Sequence, residues 1–151
     1  MEIHLTPIAI VKNSRKEPED NHWGEIISEI ILDPTIPSDA FKNITEFSHL
    51  EIIYYFNKSA SQKVEYTRRP RGNPDFPEMG IFAQRNKDRP NQIGLCTVEL
   101  IEQKGRKLLV KYLDAIDGTP VLDIKPVFVQ FQPMGSIRQP SWVSDLTKNY
   151  W

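Results

Sequence analysis

The sequence predicts a mainly β protein, closed into a barrel or bent into a strongly curved sheet. Three observations carry this. Short runs rich in Ile, Val and aromatic residues recur along the chain, and Gly, Pro, Asn and Asp separate them. Helical patterns are few and short. No strand–helix alternation of the Rossmann type is present, so a parallel doubly wound sheet is excluded.

The elements follow in chain order. Thr6–Val11 reads as a strand of β-branched and small apolar residues. Gly24–Leu32 has apolar spacing that also suits a helix, but its four isoleucines, set between Trp23-Gly24 and Asp33-Pro34, favour a strand. Pro37–Asn43 has the opening residues of a short helix. Ser48–Phe56 is a buried strand, and Met79–Ala83 is a short one. Ile93–Glu102 and Lys107–Leu113 form a hairpin across the turn containing Lys104-Gly105. Val121–Ile124 is a further short strand. Ser141 is a plausible N-cap for a final helix that puts Val143, Leu146 and Tyr150 on one face. His4 and His49 fall at strand positions and are expected to pack. Cys96 is expected to be a small buried hydrophobe.

Length and composition bound the rest. The 151 residues suit one domain, residues 1–151, with a real core. Fifteen aromatics can offset the ordering entropy, so a disordered chain is excluded. No apolar run approaches the roughly 20 residues of a membrane span, and no basic segment followed by an apolar one opens the chain. A single cysteine excludes an internal disulfide framework and any Cys-rich zinc site. A soluble, cytoplasmic protein is expected, with no metal.

Charge is unevenly spread. Residues 1–50 hold four basic and nine acidic side chains, a balance of −5. Residues 67–89 hold six basic and three acidic ones, a balance of +3. With a net charge of −1 the chain is not a general nucleic-acid binder, but a local basic loop can still hold a phosphate. Proline concentrates between residues 70 and 90, which makes this stretch a long loop. Dinucleotide, Walker and Gly-x-Ser-x-Gly loops are absent.

Three segments concentrate unusual residues. Gly80-Ile81-Phe82-Ala83-Gln84-Arg85 delivers an arginine to a turn, from which Arg89-Pro90-Asn91-Gln92-Ile93-Gly94-Leu95 starts the next strand. Asp114, Asp117, Asp123 and Lys125 fall within twelve residues around Asp117-Gly118-Thr119-Pro120. Carboxylates so spaced can bind a metal, accept a proton or face a cation, although turn capping is what the spacing alone favours. Glu17–Glu25 is acidic and carries His22 and Trp23.

Together these segments resemble the TrmO-type family, also called YaeB-like or TsaA-like. The resemblance lies in Gly80–Arg85, Arg89–Gly94 and Asp117–Pro126, with Phe47–Leu50 and Pro7–Val11 upstream, in order along nearly the whole chain. It implies a small β-barrel that binds S-adenosylmethionine (SAM) without a Rossmann fold. It also implies a homodimer with the cofactor near the interface. Characterised members methylate N6 of threonylcarbamoyl-adenosine beside the tRNA anticodon. Carried across, the cofactor residues are His22 and Trp23, Asn57 and Lys58, Arg85, Leu95, and the run Asp114, Ala115, Ile116, Asp117 and Gly118. The acceptor-binding candidates are Arg68, Arg69, Arg71, Arg89 and Asn91. Arg85 is expected to grip the cofactor carboxylate, and Leu95, Ile116 and Phe82 to form an adenine slot. Asp114 and Asp117 are expected to face the sulfonium, and Asp117 is the candidate for a base.

Two features depart from the family pattern. Asn21-His22-Trp23 stands where tRNA-modifying members have Pro-Arg-Gln, and Gln92 replaces a proline. The extra C-terminal domain of longer members is also not in this sequence. The altered loop, this shorter length and the acidic balance favour a small-metabolite acceptor, whereas the basic patch favours tRNA. A non-catalytic SAM-binding module is the third alternative.

Overall fold

In the computed structural model, which describes residues 1–59 and 63–151, six antiparallel strands close into a barrel. The eight strands are β1 (Ala9–Lys12), β2 (Ile27–Leu32), β3 (His49–Tyr55), β4 (Thr67–Arg68), β5 (Met79–Gly80), β6 (Ile93–Lys104), β7 (Lys107–Lys111) and β8 (Pro120–Pro126). The barrel order is β1-β2-β7-β6-β3-β8, and β4 and β5 form a separate two-stranded ribbon. One α-helix, α1 (Ser141–Leu146), and several 3₁₀ turns complete the described elements.

The core follows from a period of two along each strand. Leu50, Ile52 and Tyr54 of β3 point inward and are buried, as are Cys96 and Val98 of β6. Ile30 and Leu32 of β2 and Leu108 and Val110 of β7 fill the same interior. Leu122 of β8, opposite the Ile53–Tyr54 step of β3, and Ile101 of β6, between Leu100 and Glu102, are extra residues that bend β8 and β6. Such extra residues raise local twist, which a small closed barrel needs. Gly105, at φ +58°, turns β6 into β7. The side chain of the adjacent Arg106 donates to the carbonyls of Asp33 and Ile36, fixing the turn after β2.

Several boundaries differ from the sequence expectation. The first strand begins at Ala9, not Thr6: Pro7 has no N–H to give a ladder, and residues 1–7 are exposed. His4 therefore lies in an exposed segment and does not pack. His49 is in β3 but on its outer face, where Nδ1 is 2.8 Å from Ser48 Oγ. The helix expected at Pro37–Asn43 is a 3₁₀ turn over Ser38–Phe41. Met79–Ala83 is strand only to Gly80, after which Ile81–Ala83 tightens into a 3₁₀ turn. The last barrel strand is longer than Val121–Ile124. Pro140, not Ser141, occupies the cap position of α1, without a side-chain cap bond, and Tyr150 lies beyond the helix.

One close contact governs how β3 and β6 pair near the barrel end. Tyr54 is opposite Gly94, and its ring lies over the glycine so closely that a Cβ there would sit 2.4 Å from a ring carbon. Gly94 is thus required by space, not by a turn. Replacing it by alanine must push the buried Tyr54 ring aside. Gly94→Ala is expected to destabilise the protein by about 1–3 kcal/mol, the usual range for overpacking. Gly80→Ala, where a Cβ would meet only Tyr66 O at 4.0 Å, is the control and should stay within about 0.5 kcal/mol. Urea denaturation of both variants checks this.

Candidate functional site

A cavity of about 1320 Å³ opens at one end of the barrel. Its wall is built from the end of β3, the start of β6, the loops at 18–23, 68–71 and 84–89, the loop 114–119, and the segment from α1 to Trp151.

Loop 114–119 is placed by Asn13. This buried side chain donates from Nδ2 to Ser28 Oγ (2.9 Å) and to Ala115 O (2.8 Å). Its backbone N–H donates to Asp117 Oδ1 (3.0 Å), and Gly118 N–H donates to Val11 O. Asp117 also pairs with Lys16 at 2.8 Å. The hydrogen bond from Lys16, then that from Asn13, holds the Asp117 carboxyl below its ordinary range. Turn capping is what this aspartate does.

Inside the cavity wall, Asp114 accepts from two tyrosines. Tyr54 hydroxyl donates to Oδ1 at 2.6 Å and Tyr150 hydroxyl donates to Oδ2. Burial first, and the Asp114 charge second, push both phenols well above their ordinary range. Both therefore stay protonated at neutral pH and act as donors. Burial, then the same charge, raises the Cys96 thiol. It faces Tyr112 O at 2.9 Å and is not a thiolate.

The loop at 18–23 is held by two arginines. Arg15 donates to Asn21 O and His22 O, and its guanidinium lies 4.6 Å from the centroid of the buried Trp23 ring. Arg71 reaches from the neighbouring loop to Asp20 O and Asn21 Oδ1. His22 sits at φ +61°, a conformation that its neighbours over-determine: its carbonyl accepts from Arg15 and its N–H donates to Asn149 O.

On the other loop, Arg85 Nη2 donates to Leu95 O at 2.8 Å. Among the described residues no carboxylate pairs with it; Asp88, three residues on, is engaged by Arg68 and Lys87. Burial pushes the Asp88 carboxyl up, but the Ser59 hydroxyl and the charges of Lys87 and Arg68 outweigh it, so its value is lowered. Arg89 donates to Gln84 O and braces the loop from within.

The structure gathers most of the expected site residues around this one cavity. His22, Trp23, Asn57 and Lys58 line it, as do Arg85, Leu95, Asp114, Ala115 and Ile116. Arg68, Arg71 and Arg89 reach it too. Asp117 and Gly118 are outside the lining, in the turn tied to Asn13. Arg69 donates to Pro74 O and Phe76 O and serves its own loop. Asn91 is exposed outside the lining, and Phe82, expected in an apolar slot, is 78% exposed away from it. Tyr54 and Tyr150 line the cavity, and Asn13 and Arg15 brace its loops; spacing arguments miss all four. The one available signal was Tyr54 at an inward position of an apolar strand, since a buried phenol needs a partner for its hydroxyl. No group of three or more His, Cys, Asp or Glu residues that could hold a metal occurs among the described residues.

Fold and cavity define a small antiparallel barrel whose main cavity lies at the barrel end, not at the switch point of a parallel sheet. The chain belongs to the family described as the tRNA-methyltransferase O N-terminal domain, whose model matches residues 9–132. It is 35% identical over 125 residues to an S-adenosyl-L-methionine-binding protein of Archaeoglobus fulgidus, covering 80% of this chain and 86% of that one. It is 39% identical over 100 residues to the tRNA (adenine(37)-N6)-methyltransferase of Escherichia coli, covering 64% of this chain and 43% of that one. A solved structure titled as TrmO superposes with a TM-score of 0.74 at 26% identity, over 92% of this chain and 64% of that one. The match to the Escherichia coli enzyme spans less than half of that enzyme's length.

The Asp88 cluster gives a pH-dependent outcome. Because its value is lowered in the folded state, its pairing stabilises the protein above the ordinary carboxylate range. That contribution is lost as pH falls through the lowered value. Asp88→Asn should lower the melting temperature at pH 7 and reduce the drop between pH 7 and pH 3. Melting curves at both pH values test this.

Proposed function

We propose that this chain is a SAM-dependent methyltransferase whose acceptor is an adenine N6 in tRNA, next to the anticodon. The observation that carries it is the presence, in one cavity, of the Arg85 guanidinium, which has no carboxylate partner among the described residues, and of the Asp114 carboxylate. A ligand with a carboxylate at one end and a cation near its middle suits that arrangement. The cavity is large enough for such a cofactor and part of an acceptor. The relatives named as SAM-binding proteins and as tRNA methyltransferases support the reading.

In this reading Arg85 turns its guanidinium fork to the methionine carboxylate, and Asp114 favours the positive sulfonium. Leu95 and Ile116 offer apolar faces to the adenine. When bound, SAM would supply an electrophilic methyl group to the acceptor nitrogen, leaving as the neutral thioether while the nitrogen's proton passes to solvent. The chain's share is alignment of the two partners and exclusion of water. Asp117 is outside the cavity lining, and its bonds from Lys16 and Asn13 lower its value and so weaken it as a base. Lys58, Arg68 and Arg71 at the cavity suit phosphate contacts of an RNA acceptor.

The same reading includes a cytoplasmic homodimer. Residues 128–137 support it: Val129, Phe131, Met134 and Ile137 are each at least 76% exposed, and Phe128 is exposed beside them. An apolar run this exposed is a common mark of an interface. No helix among the described residues is long and apolar enough to cross a membrane.

Three outcomes are expected. Saturating SAM should raise the melting temperature, and labelled methyl should pass to total tRNA and not to a small-molecule extract; label in the extract alone would point to a metabolite acceptor. Arg85→Ala should weaken SAM binding about ten- to a hundredfold by titration calorimetry, with Arg85→Lys recovering only part and the unliganded melting curve little changed. Light scattering should give twice the 17.5 kDa chain mass, and Phe131→Asp should shift it toward the monomer.

A further inference from the structure

The segment after α1 returns to the cavity and pairs with the loop at 18–23. His22 N–H donates to Asn149 O (2.9 Å) and Trp23 N–H donates to Tyr150 O (2.8 Å). The Trp151 ring stands edge-on to Tyr112 and to Tyr150, with centroids 5.6 and 4.9 Å away. Its backbone lies so close to Gly24 that a Cβ there would be 2.7 Å from the Trp151 carbonyl carbon. This seating carries the Tyr150 hydroxyl to Asp114 Oδ2, while Tyr54 holds Oδ1 from the barrel side.

We propose that the C-terminal segment is a working part of the cofactor site, in which Tyr150 is a positioning residue that orients the Asp114 carboxylate toward the sulfonium and so sets the preference for cationic SAM over its neutral product, S-adenosylhomocysteine. The inference rests on the SAM reading above and adds to it a residue and a selectivity. Two hydroxyl donors fix both carboxylate oxygens, so the anion has one direction left to present its field. Cys96, from β6, stays a neutral thiol beside it. The cations near the cluster, Arg71 and Arg85, belong to the loops and are committed to Asp20 and Asn21 and to Leu95 O. Hydrogen bonds to a charged group are the strong ones, and Tyr150 contributes one of the two from a segment outside the barrel.

Orientation of a charge is distinguishable from general support of the cavity wall. Support affects both ligands alike, whereas an oriented carboxylate affects the cation more. Titration calorimetry with SAM and with S-adenosylhomocysteine on Tyr150→Phe, Asp114→Asn and the double variant makes the comparison. Tyr150→Phe should weaken SAM binding about tenfold and S-adenosylhomocysteine by about twofold or less. Added to Asp114→Asn, it should cost less than about twofold more, as expected for residues acting through one another. Gly24→Ala, which displaces the Trp151 backbone and leaves both side chains unaltered, should show the same selective loss and decides the matter if Tyr150→Phe does not fold. Equal losses for the two ligands, or unchanged SAM affinity in folded Tyr150→Phe, would overturn the proposal. Wild-type protein that binds neither ligand would instead overturn the SAM reading itself.

Discussion

The cavity depends on how Asn13 is satisfied. A primary amide buried at the end of β1 has to place its donors and its acceptor, and leaving any of them unpaired costs about 1–3 kcal/mol. Asn13 meets that demand by joining three parts of the chain: Ser28 on β2, Ala115 O in the loop before β8, and the backbone N–H of Arg15. The loop 114–119 is thereby fastened to the barrel wall on one side. Its other side is left to carry Asp114 into the cavity. Backbone bonds from Gly118 N–H to Val11 O, from Val11 N–H to Thr119 O and from Asp117 N–H to Arg15 O run along the same seam.

Packing and electrostatics meet at Tyr54. Its ring needs the space that Gly94 provides, and its hydroxyl needs the carboxylate that loop 114–119 provides. A barrel interior of aliphatic side chains would be hostile to an ionised group. The arrangement keeps the charge at the barrel end, where two phenols solvate it and the open cavity lies on its remaining side. Loops with arginines then surround it without neutralising it, because each arginine is turned to carbonyls or to other carboxylates.

Much of this was legible in the sequence. The strand at 48–56, the hairpin at 93–113 and the turn at Asp117–Pro120 announce themselves by period-two patterns and by turn chemistry, and together they make up most of the barrel. The motif-bearing segments around Arg85 and Asp114 were also visible as local clusters. What was not legible depends on distance in the chain. Asn13 and Ala115 are more than a hundred residues apart, and nothing local to either names the other. Gly94 reads as a residue that allows a close approach, but only the fold shows that the Tyr54 ring makes it. Asp117 and Asp114 look equivalent by type and spacing. Only the fold shows that one caps a turn while the other lines the cavity. Tyr150 read as the face of a helix that in fact ends at Leu146.

The seating of Trp151 against Gly24 has a consequence for any polypeptide joined to this chain. Whatever is fused after Trp151 emerges at the rim of the cavity, not at a remote surface. A bulky purification tag or reporter there would compete with an incoming acceptor and could lever the last residues from their place. The opposite end is free of this difficulty, because residues 1–7 are exposed and lead into β1 away from the described lining. Fusion partners therefore belong ahead of Met1, whereas a probe meant to report on traffic through the cavity mouth belongs after Trp151.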